Sequence, residues 1–560
     1  MSFAPTHVLL RVLVGLSLVH ALCAARSPAE DSAPAVKTKR SAVGAAFFDD
    51  PAVRLFDLRI PEAELSQLGR SSRTYVKAEL SEGDTVLTSV GVRLKGNGSF
   101  RTIEEKPSFA IKFDEYTDGQ NYHGFKKLMF NNSVQDPSYL SELLATVLFR
   151  DAGVPAARVT HARMRLNGRD LGLYVVIEAM NKDFLKHNFG NSKGNLYEAY
   201  LQDVNGRLEL DNGEDQSRAD LNALCEACAI TDPAARWTQL NKVLDVERFV
   251  SFVAMEILTT HWDGYSVLLN NYRLYHDPST DKMVFITHGL DGAFRRPNFS
   301  IDAPLKSTVV TAVLTTPEGR KLYDQRFRTL ATDVFKVPVI VERIDKAMTK
   351  LRGAGLDPAE LASLERYAAL KRERIEARGL RVDEQLQGVK PETMKVDADG
   401  VGFPVAWRDE PDRGNPVFDR VTYDGKKTLH IGAADESTRA SWRSQVFLAP
   451  GSYRFEGSAR IASLLGGMAR LRISGNSNGV SGISGTSSWR PVQYEFVVGG
   501  EGMDIELVCE FTTMHAGHVW FDLNSLRVRR LGDAPPPRQR VTRPQPVLRP
   551  QPTLRLQLGQ

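Results

Sequence analysis

Between residue 47 and about residue 115, apolar and polar side chains alternate. TYVKAEL, SVGVRLKG and SFAIKF each place every second side chain on one face, the period of a half-buried strand. The period then lengthens. In SYLSELLATVLFRD, residues 138–151, Leu140, Leu143, Leu144, Val147 and Leu148 recur at helical spacing. Asp136 is the expected N-cap there, with Pro137 at the first helical position. Strands resume in THARMRLNGRDLGLYVVIEAM, where Asn167-Gly168 predicts a tight hairpin. Helical spacing dominates afterwards. DVERFVSFVAMEILTTHW puts Phe249, Phe252, Val253 and Ile257 on one face, and DPAELASLERYAALKRERIEAR reads as a charged helix capped by Asp357 and Pro358. Past residue 400 the pattern changes again. Short alternating runs such as GSYRFEGSARI, MARLRISG, VQYEFVVG and DIELVCEF are separated by Gly, Asn and Ser turns, which predicts an antiparallel β-sandwich or jelly roll.

The two ends differ from the rest. Arg11 precedes VLVGLSLVHALCA, an apolar run that exits through small residues, the form of a secretory signal peptide cleaved near Ala24 or Ala25. A small, polar, Pro-containing linker follows. The last stretch, PPPRQRVTRPQPVLRPQPTLRLQLGQ, has five arginines and no acid and is expected to be disordered. The expected organisation is therefore a signal peptide over 1–25, a linker over 26–46, a first domain over 47–388, a sandwich over 400–531 and a tail over 532–560. Export is the expected fate, to the medium, periplasm or cell surface, without a transmembrane span.

Composition adds little that the pattern lacks. Over 560 residues, 42% are hydrophobic and 25% charged, which are globular values. Lys and Arg number 72 against 68 Asp and Glu, a net charge of +4, too balanced for a nucleic-acid binder. In an exported chain, Cys225 and Cys228 of LCEACAI read as a local disulfide or as two buried thiols rather than as a zinc site.

Polar chemistry clusters where the strand-rich and helix-rich parts of the first domain meet. VRLKGNGSF closes a strand–strand turn at Gly96, Gly98 and Ser99, able to present backbone N–H groups to phosphate oxygens or to serve as a plain hairpin. Lys112 in FAIK is a point charge on a rigid strand. Glu142 on the amphipathic helix is a carboxylate able to pair with Lys112. Glu178 and Met180 in VVIEAMNKDF mark a hinge between the two halves. THWDGYSVLLNNYRLY and MVFITHGLDGAF together supply Asp263, Asn270, Asn271 and Asp291, hard oxygen ligands suited to a hard cation.

The order GNGSF, FAIK, helix Glu, hinge, Asp…Asn and Asp-Gly resembles a protein-kinase layout. More closely, the chain resembles the CotH-type secreted kinases of the spore-coat family. KPSFAIKF, KKLMFNNSVQDPSYLSELLATVLFRDAGVP, RLNGRDLGLYVVIEAM, GNLYEAY, HWDGYSVLLNNYRLY and VFITHGLDGAF carry the likeness. The resemblance implies an α+β fold: an atypical two-lobed kinase-like domain with lobes near 47–178 and 181–388. It implies ATP with Mg²⁺ or Mn²⁺, and a protein substrate of an envelope or coat. Lys112 would meet the nucleotide phosphates with Glu142 as its partner. Asp263 would accept or orient the acceptor hydroxyl, and Asn271 and Asp291 would hold the metal. The family commonly ends the last strand in Asp-x-Asp, and here Gly289 occupies the first place. That departure keeps open the alternative of a non-catalytic surface protein. Residues 400–531 resemble a carbohydrate-binding jelly roll, in which Trp489 and Trp520 either stack on sugar rings or fill the core.

Overall fold

The computed structural model describes residues 44–534 except 51, 391, 414–415, 435–436, 464–465, 476–480 and 501. The expected signal peptide, nearly all of the linker and nearly all of the tail lie outside the described residues. Seven strands come first: β1 (Arg54–Arg59), β2 (Val76–Glu82), β3 (Thr85–Lys95), β4 (Ser108–Lys112), β5 (Lys127–Asn131), β6 (Val159–Leu166) and β7 (Arg169–Glu178). They close into a barrel in the order β1-β2-β3-β4-β5-β7-β6, sealed by the parallel β1–β6 pair. The alternation read in the sequence fills it. Val92, Leu94, Phe109, Ile111 and Phe130 point inward and are buried. Asn167 and Gly168 both take positive φ, as a two-residue hairpin turn requires.

The helix expected from residue 138 begins later, at Ser141, with Leu140 at its cap position. Pro137 therefore lies outside it. Asp136 still serves the helix end, because its Oδ2 accepts the Ser141 N–H at 2.7 Å. After β7 the chain becomes largely helical. A smaller antiparallel sheet lies in this part, made of β8 (Leu196–Glu198), β9 (Glu209–Asn212), β10 (Tyr272–Asp277) and β11 (Lys282–Thr287), ordered β11-β10-β8-β9. The helix Val246–Leu258 is buried on every side from Phe249 onward rather than on one face. The helix Pro358–Leu386 is capped by Asp357, whose carboxylate accepts the Ala359 N–H at 2.9 Å. Among the described residues no helix is long and apolar enough to cross a membrane.

Residues 401–532 form two antiparallel sheets. One joins Trp407–Arg413, Thr438–Leu448, Met503–Thr513 and Met468–Ile473. The other is built around Gly451–Ala462, Gly517–Asp522 and Lys426–Ala433. Side chains from both, such as Leu429, Phe455, Leu471 and Leu507, share one core. Trp520 is not part of it. Paired with His430 across the strands, it lies on the outer face and stacks on Tyr423 at 4.3 Å between ring centres. Of the two alternatives read for Cys225 and Cys228, a local disulfide or a pair of thiols, the structure has the thiols, both half-buried on the Ala219–Ala229 helix. Burial pushes the Cys228 thiol up to about 12, which leaves it unreactive.

Candidate functional site

Asp263 sits in a tight turn after the Val246–Leu258 helix, and a buried acid holds that turn. Glu256 accepts the Tyr265 N–H at 2.8 Å and the Ser266 N–H at 2.9 Å, together with the Ser266 hydroxyl. Gly264 allows the approach, since a Cβ there would lie 2.2 Å from Glu256 Oε1. On the far side, Asn271 Nδ2 donates to Asp263 Oδ2 at 2.9 Å and to its backbone carbonyl at 3.1 Å. Asn270 Nδ2 adds a longer contact to Oδ1 at 3.3 Å. Burial raises the Asp263 carboxyl, and the two amides oppose that rise. A carboxylate fixed in this way is suited to accept a proton from, or to orient, a hydroxyl.

Asp291 follows β11 in a short 3₁₀ turn, Leu290–Gly292, packed against the Ser141–Asp151 helix. Gly289 leads into the turn with φ +63°, and a Cβ on it would meet Asn271 Oδ1 at 2.5 Å. The Asn271 amide thus fills the space beside Gly289, and the two residues are fitted to each other. Glu142 reaches the same place from the helix, close to the backbone of Leu290 and to Asp291. Its Oε2 is buried without a partner. Burial, then repulsion from Asp291, pushes the Glu142 carboxyl up. Burial pushes Asp291 up as well, while Arg295 and Lys95 oppose the rise and Asp136 and Asp263 add to it.

The expected Lys112–Glu142 pair does not form. Lys112 Nζ binds Glu115 Oε2 at 2.7 Å, and that bond raises its ammonium. The lysine beside Glu142 and Asp291 is Lys95, whose ammonium is lowered by burial against the pull of those two carboxylates. Register explains the exchange. Lys95 pairs with Ser108 and Lys112 with Gly91, so both lysines share the outer face of the barrel. They stand four residues apart along β3, roughly 13 Å at strand rise. Lys112 is on the right face at the wrong end of the strand. The period-2 pattern in VRLKGNGSF placed Lys95 on that face too, and the β3–β4 register was the missing information.

Other expected residues are distributed as follows. Gly96, Gly98 and Ser99 form the turn directly after Lys95. The Gly96 carbonyl accepts from Arg73, and the Ser99 carbonyl accepts Asn132 Nδ2 at 3.1 Å. The Glu178 carboxylate is not part of the cluster, because Arg158 holds it in a buried ion pair at 2.6 Å. Met180 packs against Phe184, Leu185, Leu196, Tyr275 and Ile286. His288 is half-buried with its Nε2 covered and unpartnered, and burial, then Arg273, lowers its imidazole to about 4.

Lys95, Glu142, Asp291, Asp263 and Asn271 are therefore brought together. Ionised together, these two carboxylates outweigh the one lysine, and a divalent cation relieves such a pair. Among the described residues no group of three or more His, Cys, Asp or Glu is poised to enclose a metal. A hard cation held by one or two carboxylates completes its shell with phosphate oxygens and water. The orphaned Glu142 Oε2 and the neighbouring Asp291 fit that mode.

A family model described as CotH kinase protein matches residues 92–375. The chain is 26% identical to the invasin CotH2 of Rhizopus delemar over 30% of its own length and 32% of that protein. It therefore spans about a third of that relative. It is 21% identical to inner spore coat protein H of Bacillus subtilis, over 47% of this chain and 77% of that one. Among solved structures, the Helicobacter pylori proinflammatory kinase CtkA matches 52% of this chain and 96% of its own. That match is at 9% identity and a TM-score of 0.26, too low to carry an argument.

Proposed function

The chain belongs to the CotH kinase family, and on that premise we propose a secreted, ATP-dependent protein kinase. It phosphorylates Ser or Thr hydroxyls on envelope, coat or matrix proteins. The barrel and the helical part are its two lobes, and the nucleotide lies between them. The observation that carries the reading is the clamp on Asp263 by Asn271 beside the Lys95–Glu142–Asp291 cluster. Lys95 supplies positive charge to the nucleotide phosphates, the role first read for Lys112, with the Gly96–Ser99 turn next to them. Asp263 receives or orients the acceptor hydroxyl. Asp291, Glu142 and the Asn271 amide oxygen would hold Mg²⁺ or Mn²⁺, which neutralises charge on the transferring group. Positioning and charge neutralisation then do most of the catalysis.

The sandwich is read as a carbohydrate-binding jelly roll. Its outer face carries Tyr423, His430 and His518 stacked around Trp520, a row in which Trp520 itself is largely covered and the flanking rings are the ones open to a sugar. Trp489 adds a half-buried ring whose Nε1 donates to Asp424 at 2.9 Å.

The experiment is phosphoryl transfer from labelled ATP to a generic protein acceptor, with and without metal. Transfer of γ-label that is lost in Asp263→Ala supports the kinase. Label carried only from the α-position shows transfer of the nucleotide monophosphate. A second reading, a non-catalytic surface protein, draws on Gly289, which supplies no carboxylate where the family commonly has one. Thermal stabilisation by a polysaccharide and none by ATP with metal would decide for it.

A further inference from the structure

A cavity of about 340 Å³ opens where the helical part meets the sandwich. Of its described lining, seven side chains are basic and four acidic. The acids are all engaged. Asp136 pairs with Lys371 at 3.3 Å, and Asp504 accepts the Asn298 N–H at 2.8 Å and its Nδ2 at 2.9 Å. Glu410 binds Arg408, and Glu506 gathers Arg408, Arg443 at 3.2 Å and Arg374 at 3.5 Å. Arg472 is taken by Glu510 outside the lining at 2.7 Å, and Arg295 and Arg296 are left without an ion pair among the described residues.

That surplus is drawn out of bulk water. The Arg374 side chain is 14% exposed and Arg443 10%. Arg295 has no direct ion pair among the described residues and lies close enough to Asp136, Asp291 and Glu506 to act on all three. Guanidinium groups crowded together in a partly dry space are costly without an anion. Their planar forks match the several acceptor oxygens of a tetrahedral oxyanion. A neutral sugar or an apolar group would leave the charge uncompensated.

We propose that this cavity binds a phosphate-type oxyanion, free or as a monoester on a larger molecule, held by Arg295, Arg374 and Arg408. The site is distinct from the carboxylate cluster but adjoins it. Arg295 is near enough to act on the charge of Asp291, and Asp136 holds the start of the helix that carries Glu142. An occupant therefore changes the charge next to the candidate catalytic residues. Nothing here depends on phosphoryl transfer taking place, since the surplus charge exists whatever the reaction.

The test is calorimetric titration and thermal shift of the full chain with inorganic phosphate at constant ionic strength. Sulfate is the tetrahedral comparison and acetate the control. Saturable binding at one site, shared by sulfate and not by acetate, is expected, with at least a tenfold loss in Arg295→Gln. Arg408→Gln should do the same. Should that variant fail to fold, Arg295→Gln, whose side chain breaks no ion pair, still decides. Asp263→Ala should retain phosphate binding while losing transfer, which separates this site from the kinase reading. O-phosphoserine binding tighter than phosphate identifies a monoester as the source, and the reverse order a free anion. Non-saturable binding overturns the proposal. So does binding unchanged in Arg295→Gln and displaced by ATP with Mg²⁺, which places the phosphate at the nucleotide site.

Discussion

Asn271 donates its amide hydrogens to the Asp263 side chain at 2.9 Å while its oxygen stands over Gly289. One side chain thereby sets the direction of the candidate base and occupies the space where an aspartate of the usual Asp-x-Asp motif would begin.

Replacing Gly289 with Asp should consequently lower activity rather than restore a missing ligand. The residue has φ +63°, which L side chains rarely adopt, and its Cβ would collide with the Asn271 amide. We expect a destabilisation of about 1–3 kcal/mol and reduced transfer, measured by thermal unfolding and labelled-ATP assay. Increased metal-dependent transfer would show that Asn271 can yield.

Asp263→Asn should reduce transfer by roughly 10²–10⁴-fold, the usual share of a positioned acid–base group. Thermal stability should change little, because the asparagine keeps one acceptor for the neighbouring amides. Asn271→Ala should also reduce transfer, having freed the Asp263 carboxylate. Wild-type rates in either variant would remove Asp263 from the mechanism.

The two lysines separate cleanly. Lys95→Met should abolish ATP-dependent stabilisation, since its ammonium stands beside Glu142 and Asp291. Lys112→Met should leave it nearly intact, because Lys112 is bound to Glu115 at the other end of the strand pair. Thermal shift with ATP and Mg²⁺ reads both.

Glu256 gives the chain a pH dependence of known sign. Burial raises its carboxyl to about 7, against three hydrogen bonds that favour the charged form. The folded value lies above the unfolded one, so its contribution is fully present below roughly pH 4.3. It is lost as pH rises through about 7. The span is on the order of 3 kcal/mol. Glu256→Gln should flatten this part of the stability–pH curve while keeping the turn around Asp263. An unchanged slope in denaturant titrations at pH 5 and pH 8 would contradict it.

Much of this molecule was legible in its residue pattern. Alternation gave the barrel strands and the sandwich, and Asn167-Gly168 gave the hairpin, because side-chain period and turn chemistry are local properties. Asp263, Asn271 and Asp291 were legible as a group because they fall on neighbouring turns of one sheet-and-helix unit. The choice of Lys112 over Lys95 failed for a non-local reason: strand register, which fixes which lysine reaches the helix, is set by pairing with another segment. The fate of the Glu178 side chain was hidden in the same way, since Arg158, its partner, lies 20 residues earlier, just before β6. Arg295 carries no local signal, and its place follows only from the docking of the sandwich.

That docking has a consequence for how the chain can be divided. The segment after Leu386 looks like a natural cutting point. Severed there, Arg374 would lose Glu506, Arg366 would lose Asp409, and Asn298 would lose both oxygens of Asp504. The sandwich therefore is not a detachable accessory. A grafted replacement would have to bring its own acids to the same three places, which makes the two halves a matched set.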